Sequence, residues 1–205
     1  MLYRLSCFIL SVIFRFTGGV TLIGRQNIPR TGGVILAPNH ISYVDPPVVG
    51  CYLKRQVHFM AKEELFRTRL MAFWMHRVGA FPVRRGTADR KALKQAIDLV
   101  AQGRVICIFP EGTRSPDGKL QEPELGIGLI ALRARAPIVP VAIIGSDKVL
   151  PPNSNRLYRH RVKIVYGKPL TFPDLEQGKE TRQSLEEVGR STMSAISELI
   201  LAHAS

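Results

Sequence analysis

The chain has 205 residues, room for one hydrophobic core and not for two. Its 45% hydrophobic and 22% charged content is that of a globular protein and excludes a disordered chain, a collagen-like repeat and an all-membrane bundle. Twenty-nine Lys and Arg against sixteen Asp and Glu leave a formal charge of +13, which points to a polyanionic partner: nucleic acid, an anionic lipid surface or a phosphorylated substrate. Aromatic residues at 7%, with a single Trp, offer few stacking platforms for single-stranded nucleic acid. Cys7, Cys51 and Cys107 lie far apart with no C-x-x-C pair, so reduced, cytosol-facing thiols are expected in place of a disulfide framework or a zinc site.

The longest apolar stretch, residues 5–14 between Arg4 and Arg15, is well short of the roughly 20 residues a spanning helix needs. No A-x-A cleavage site follows it, so a signal peptide is not expected. Arg4, Ser11 and Arg15 fall on one narrow helical stripe and apolar side chains cover the rest. Residues 1–19 are therefore expected to form an amphipathic helix that either docks on its own domain or lies in a lipid interface with its arginines toward phosphates. Residues 20–205 make the folded domain. Short apolar runs predict strands at 20–24, 34–37, 57–60, 80–83, 105–109, 138–144 and 162–166, and periodic segments predict helices at 42–53, 87–102, 126–135 and 180–202. Residues 65–78 mix Phe66, Leu70, Met71, Phe73, Trp74 and Met75 with Arg67, Arg69 and Arg77; a Met- and Trp-rich helix reads first as core, with a lipid contact as the other reading. The alternation predicts a single α/β domain, a mostly parallel central sheet flanked by helices. Residues 172–205 carry three basic and six acidic groups, so the remaining excess of +16 sits in residues 1–171.

Two phosphate motifs nearly occur. Residues 112–119 have one intervening residue too many for a P-loop and Leu120 where Ser or Thr is required. Gly126, Gly128 and Ala131 spell G-x-G-x-x-A but follow Pro123-Glu124-Leu125 and not a strand. Asn39-His40-Ile41-Ser42-Tyr43-Val44-Asp45-Pro46 differs, because it stands at the end of an apolar strand, where α/β proteins place ligands. His40 and Asp45, five apart, meet only if the chain turns between them, with Ser42 as a helix N-cap and Asp45 at the third helical position. One reading is plain capping. The other is general-base catalysis, the carboxylate orienting the imidazole while its far nitrogen takes a proton from an alcohol. Phe109-Pro110-Glu111-Gly112-Thr113-Arg114-Ser115 also follows an apolar strand. It is either a solvated turn or an anion site in which glycine lets the backbone approach and arginine supplies a planar fork.

Taken together these segments resemble the glycerolipid acyltransferase family. His40 and Asp45 are similar to its H-x4-D motif. Residues 79–85 resemble its second block, with Arg85 at the closing arginine and Arg84 an extra neighbour. Residues 109–115 match its third block, F-P-E-G-T-R-S, without a change, and residues 136–141 resemble the fourth, a strand with Pro140 in its middle. The blocks keep family order over about residues 20–170. One departure is Pro123-Glu124-Leu125-Gly126, which keeps only the glycine of a frequent F-K-x-G; five bases in 151–171, without an acid, are a candidate compensation. The resemblance implies transfer of a fatty acyl group from acyl-CoA or acyl carrier protein to a lysophospholipid acceptor, foremost the sn-2 hydroxyl of lysophosphatidate, giving phosphatidate. Glycerol 3-phosphate or another lysolipid is the alternative acceptor, and a non-catalytic domain binding anionic membrane or nucleic acid by charge is the alternative class. In the favoured reading His40 and Asp45 are catalytic, and Arg85, Glu111, Gly112, Thr113 and Arg114 bind substrate. Backbone amides near Gly112 are the candidate oxyanion donors. No metal, cofactor or nucleic acid is required, and the expected location is the cytoplasmic face of an anionic membrane, peripheral or monotopic.

Overall fold

The computed structural model describes residues 2–84, 89–152, 154–176 and 180–204. The apolar runs form strands β1 (Val20–Ile23), β2 (Val34–Pro38), β3 (Val57–Lys62), β4 (Ala80–Val83), β5 (Val105–Cys107), β6 (Ile138–Ile144) and β7 (Val162–Tyr166). The helices are α1 (Leu2–Phe16), α2 (Asp45–Cys51), α3 (Arg69–Arg77), α4 (Arg90–Ala101), α5 (Leu125–Ala134), α6 (Ser146–Val149), α7 (Pro173–Glu176) and α8 (Arg182–His203). The strands join in one seven-stranded sheet of order β1-β7-β6-β2-β5-β3-β4. Of these strand pairs, as far as the described residues show, β6–β7 alone is antiparallel. β2 and β5 are buried throughout, as strands covered on both faces must be.

Period-2 alternation sends neighbouring side chains to opposite cores. Val34, Leu36, Cys107, Val139 and Val141 join Phe14 of α1 and Val48 and Val49 of α2. Ile35, Ala37, Ile106 and Ile138 join α4, α5 and α8 through Ala92, Ala96, Ile127, Ile130 and Val188. The G-x-G-x-x-A near-motif has a packing explanation: a Cβ on Gly128 of α5 would stand 2.5 Å from the Leu185 carbonyl of α8, so a side chain there would force the two helices apart.

β2 is followed by α2 on the first face and leads to β3 on one side. β5 is followed by α5 on the second face and leads to β6 on the other. The order therefore reverses between the carboxyl ends of β2 and β5, where such sheets open a crevice for ligands.

α1 is both core and surface. Its Tyr3 hydroxyl donates to the Gly50 carbonyl at 2.9 Å and accepts the Val57 N–H at 3.2 Å, and Leu10 and Phe14 pack into the first core. Leu5, Phe8, Ile9 and Phe16 remain exposed. α3 departs from its core reading: none of its residues is buried and Leu70 is 81% exposed. It lies outside the sheet with its apolar side chains toward solvent. Among the described residues no helix is long and apolar enough to cross a membrane.

The two faces of α1 separate in a stability experiment. Phe14→Ala should lower the unfolding free energy by roughly 3–5 kcal/mol, the cost of emptying a core phenylalanine site, whereas Phe8→Ala should stay within about 0.5 kcal/mol; urea denaturation of the two variants measures both.

Candidate active site

The two motif loops leave adjacent strands at the same level. Leu36 of β2 pairs with Cys107 of β5, so His40 and Glu111 each stand four residues beyond a paired position. Past the end of β2 the ladder is continued by a side chain: Asn39, buried, accepts the Ile143 N–H at 2.7 Å through Oδ1 and donates to the Ile143 carbonyl at 3.0 Å through Nδ2. An amide so used replaces one more residue of strand pairing and frees the backbone to turn at His40.

The turn brings the predicted pair together. His40 Nδ1 lies 2.9 Å from Asp45 Oδ2, with His40 almost and Asp45 wholly buried. The same oxygen accepts the Ile41 N–H at 2.8 Å and the Ser42 N–H at 2.7 Å. An acceptor already holding two amide protons places the imidazole proton on Nδ1, and the neutral ring then presents its Nε2 lone pair as a base. Asp45 Oδ1 is buried without a hydrogen-bond partner among the described residues.

Two local expectations fail for one reason. Ser42 is not the N-cap and Asp45 is not the third helical residue: α2 begins at Asp45, preceded by Val44. The Asp45 carboxylate reaches backward to the amides of residues 41 and 42 and caps the turn itself, while the Ser42 hydroxyl donates to the Leu150 carbonyl at 3.0 Å.

Glu111 is buried with both oxygens engaged. Oε1 accepts the His40 backbone N–H at 2.9 Å and Oε2 accepts the Gln121 N–H at 3.1 Å. Burial pushes its carboxyl above the usual carboxylate range, and these amides partly offset the shift. Its carboxylate lies against the backbone of the His40 turn and of Gln121. The Ser115 N–H donates to the His40 carbonyl at 2.8 Å, and the Phe109 ring stacks on the imidazole at 3.9 Å. The third-block loop therefore grips His40 by its N–H, its carbonyl and its ring face.

Gly112, with φ +69°, makes the bend at which a Cβ would meet Glu124 Cγ at 2.9 Å. Its own amide donates to the Phe109 carbonyl at 3.0 Å, so it is taken and cannot serve an oxyanion. The Thr113 and Arg114 amides that follow have no hydrogen-bond partner among the described residues. The exposed Thr113 hydroxyl donates to the Arg114 carbonyl at 3.2 Å. The Arg114 guanidinium lies 3.4 Å above the centre of the Tyr43 ring, which fixes its plane and leaves its N–H edges for an anion. Arg85 lies outside the described residues. Its neighbour Arg84 is paired by its Nε with Glu63 at 3.0 Å.

Asn39, Phe109 and Tyr43 were missed as members of the site. Asn39 carried a signal, a polar residue at the end of an apolar strand directly before the histidine; the roles of Phe109 and Tyr43 depend on contacts across loops.

Residues 19–144, more than half of the chain, match the family described as Acyltransferase. The chain belongs to the acyltransferase family. It is 33% identical over 176 residues to 1-acyl-sn-glycerol-3-phosphate acyltransferase of Bacillus subtilis, covering 84% of each chain. To the protein of the same name from Streptococcus pneumoniae it is 29% identical over 169 residues, 81% of this chain but 61% of that one. The crystal structure of the 1-acyl-sn-glycerophosphate (LPA) acyltransferase PlsC from Thermotoga maritima superposes with a TM-score of 0.76 at 24% identity, over 96% of this chain and 78% of that one, and shares its fold. Family membership sets aside the charge-only binding domain as the class of this acyltransferase.

In Glu111→Ala the buried N–H of His40 and the half-buried N–H of Gln121 lose their acceptors. The variant should lose about 1–3 kcal/mol of stability for each. Because both Glu111 oxygens are taken by backbone amides, acyl-transfer turnover should fall while the acceptor KM stays within twofold; a raised KM with normal turnover would return Glu111 to a binding role.

Proposed function

We propose that this acyltransferase moves a fatty acyl group from a thioester, acyl-CoA or acyl carrier protein, to the sn-2 hydroxyl of lysophosphatidate and releases phosphatidate. The observation that carries the reading is the His40–Asp45 pair at the end of β2, clamped by the unchanged F-P-E-G-T-R-S loop. The acceptor follows from the names of the Bacillus subtilis and Streptococcus pneumoniae relatives.

His40 Nε2 removes the acceptor hydroxyl proton as the oxygen attacks the thioester carbonyl carbon, and Asp45 Oδ2 stabilises the imidazolium through Nδ1. The carbonyl oxygen becomes an oxyanion whose candidate donors are the Thr113 and Arg114 amides, which have no acceptor among the described residues. Collapse breaks the C–S bond and His40 returns the proton to the departing sulfur. Arg114, held flat on Tyr43, and Arg85 bind the acceptor phosphate. The acceptor so fixed beside His40 gains by proximity and needs no covalent intermediary. The two side chains that would supply one are unsuited: Cys107 is buried inside β5 between β2 and β3, where desolvation pushes its thiol well above the ordinary value, and the Ser42 hydroxyl is spent on Leu150. The exposed apolar side of α1 attaches the enzyme to the cytoplasmic face of an anionic membrane as a peripheral or monotopic protein.

His40→Ala should cut turnover by two orders of magnitude or more, the usual loss of a general base, with the protein still folded. Thiol release from acyl-CoA and from acyl carrier protein, measured with lysophosphatidate, glycerol 3-phosphate and other lysolipids, decides donor and acceptor; near-normal turnover in His40→Ala would sink the mechanism. Arg114→Lys keeps the charge but loses the planar fork. It should raise the lysophosphatidate KM about tenfold, roughly 1.4 kcal/mol of binding, with little change in turnover.

A further inference from the structure

The connection between β6 and β7 leaves the sheet at the same end as His40, because β6 runs parallel to β2. After Asp147 it carries no acid, and from residue 156 it reads Arg156-Leu157-Tyr158-Arg159-His160-Arg161. The first four are exposed, Leu157 at 49% and Tyr158 at 50%. Neither the Arg156 nor the Arg159 guanidinium has an ion pair or hydrogen bond among the described residues. An aliphatic and an aromatic side chain thus stand in water between two unengaged cations.

The backbone beneath them is fixed. Tyr158 N–H donates to the Val149 carbonyl at 2.8 Å, and His160 N–H donates to the Thr17 carbonyl at 2.7 Å. Arg161 Nε donates to the Gly18 carbonyl at 3.3 Å. Gly18 itself admits no side chain, since a Cβ would stand 2.7 Å from the His160 carbonyl carbon. The His160 and Arg161 bonds join the loop to the turn that ends α1, beside Arg15 and Phe16, the latter 78% exposed. The base of the loop touches the catalytic turn, because Leu150 accepts the Ser42 hydroxyl.

We propose that Arg156-Leu157-Tyr158-Arg159 is a lipid-facing tip. Leu157 and Tyr158 enter the headgroup boundary of an anionic bilayer, Arg156 and Arg159 pair with lipid phosphates, and with Phe16 they turn the catalytic end of the sheet toward the membrane. The inference rests on the reading of the acceptor as a membrane lysolipid, whose hydroxyl and phosphate lie at that boundary. A water-soluble phosphate would be served by the arginines alone; exposed Leu and Tyr between them suit an interface that is wet on one side and apolar on the other. Continuity with the exposed face of α1 makes one surface of the two.

The test uses the full chain, sedimented with vesicles of phosphatidylglycerol and phosphatidylcholine and with vesicles of phosphatidylcholine alone. Arg156→Gln with Arg159→Gln should weaken binding to the anionic vesicles about 25-fold, near fivefold for each cation, and should reduce its salt dependence. Leu157→Ser with Tyr158→Ser should weaken it tenfold or more and leave the salt dependence in place. The Leu157→Ser, Tyr158→Ser variant should keep wild-type turnover on detergent-dispersed lysophosphatidate. Tyr158→Trp, in a Trp74→Phe background, should be quenched by brominated lipid, a readout independent of any effect on folding. Vesicle binding within twofold of wild type in both double variants, or an unquenched Trp at 158, overturns the proposal. So does a donor KM raised in detergent with vesicle binding unchanged, which would make the tip a site for a soluble acyl donor. Failure of the acyltransferase reading shows separately, as wild-type protein that binds vesicles and turns over no lysolipid in detergent.

Discussion

β2 and β5 lie side by side, in register and parallel, yet send their crossovers to opposite faces of the sheet. The chain beyond each strand must diverge from its neighbour, and the gap that opens is lined by whatever residues follow the last ladder bond. In this protein those residues are Asn39 to Asp45 on one side and Phe109 to Ser115 on the other. If either crossover changed face, the two loops would no longer meet over the same strand ends. Helix packing on both faces, through residues as far from the site as Gly128 and Leu185, holds the strand order that keeps them together.

The histidine is immobilised to a degree that a two-residue description of the site does not convey. Its ring nitrogen is held by Asp45, its ring face by Phe109, its backbone N–H by Glu111 and its carbonyl by the Ser115 amide. Four contacts from different directions leave the imidazole little freedom, so the base of the proposed mechanism is held in one orientation before substrate arrives, as a preorganised site requires. Glu111 achieves this at a cost, since a buried carboxyl is disfavoured as an anion; the two backbone amides that donate to it offset part of that cost.

A second constraint is set by the surface. α1 must satisfy a core through Tyr3, Leu10 and Phe14 while leaving Phe8 and Phe16 outside, and α3 leaves Leu70 and about half of Met71, Phe73 and Trp74 outside. An exposed apolar face is costly in water unless something covers it. On the proposed membrane reading, the excess positive charge and these uncovered side chains meet an anionic interface, and the loop that follows β6 adds charge and apolar side chains at the end of the sheet that carries His40.

Hydrophobic period and punctuation made the local structure legible. The seven strands, the main helices, the loop position of both motifs and the H-x4-D and F-P-E-G-T-R-S blocks could be read from residue order, because strand and helix periods and turn residues act over a few neighbours. Boundaries moved where a side chain intervened: α4 begins after Asp89, which caps it by accepting the Ala92 N–H, and Asp45 capped the turn in place of Ser42. What only the tertiary structure decided was partnership. That β5 inserts between β2 and β3, that both Glu111 oxygens go to backbone amides of residues 40 and 121, that Arg114 lies on Tyr43, and that α3 faces outward all depend on which distant segment comes to rest alongside. A buried carboxylate or a guanidinium takes whichever partner the fold delivers, and that choice is a property of packing in three dimensions that no short stretch of sequence contains.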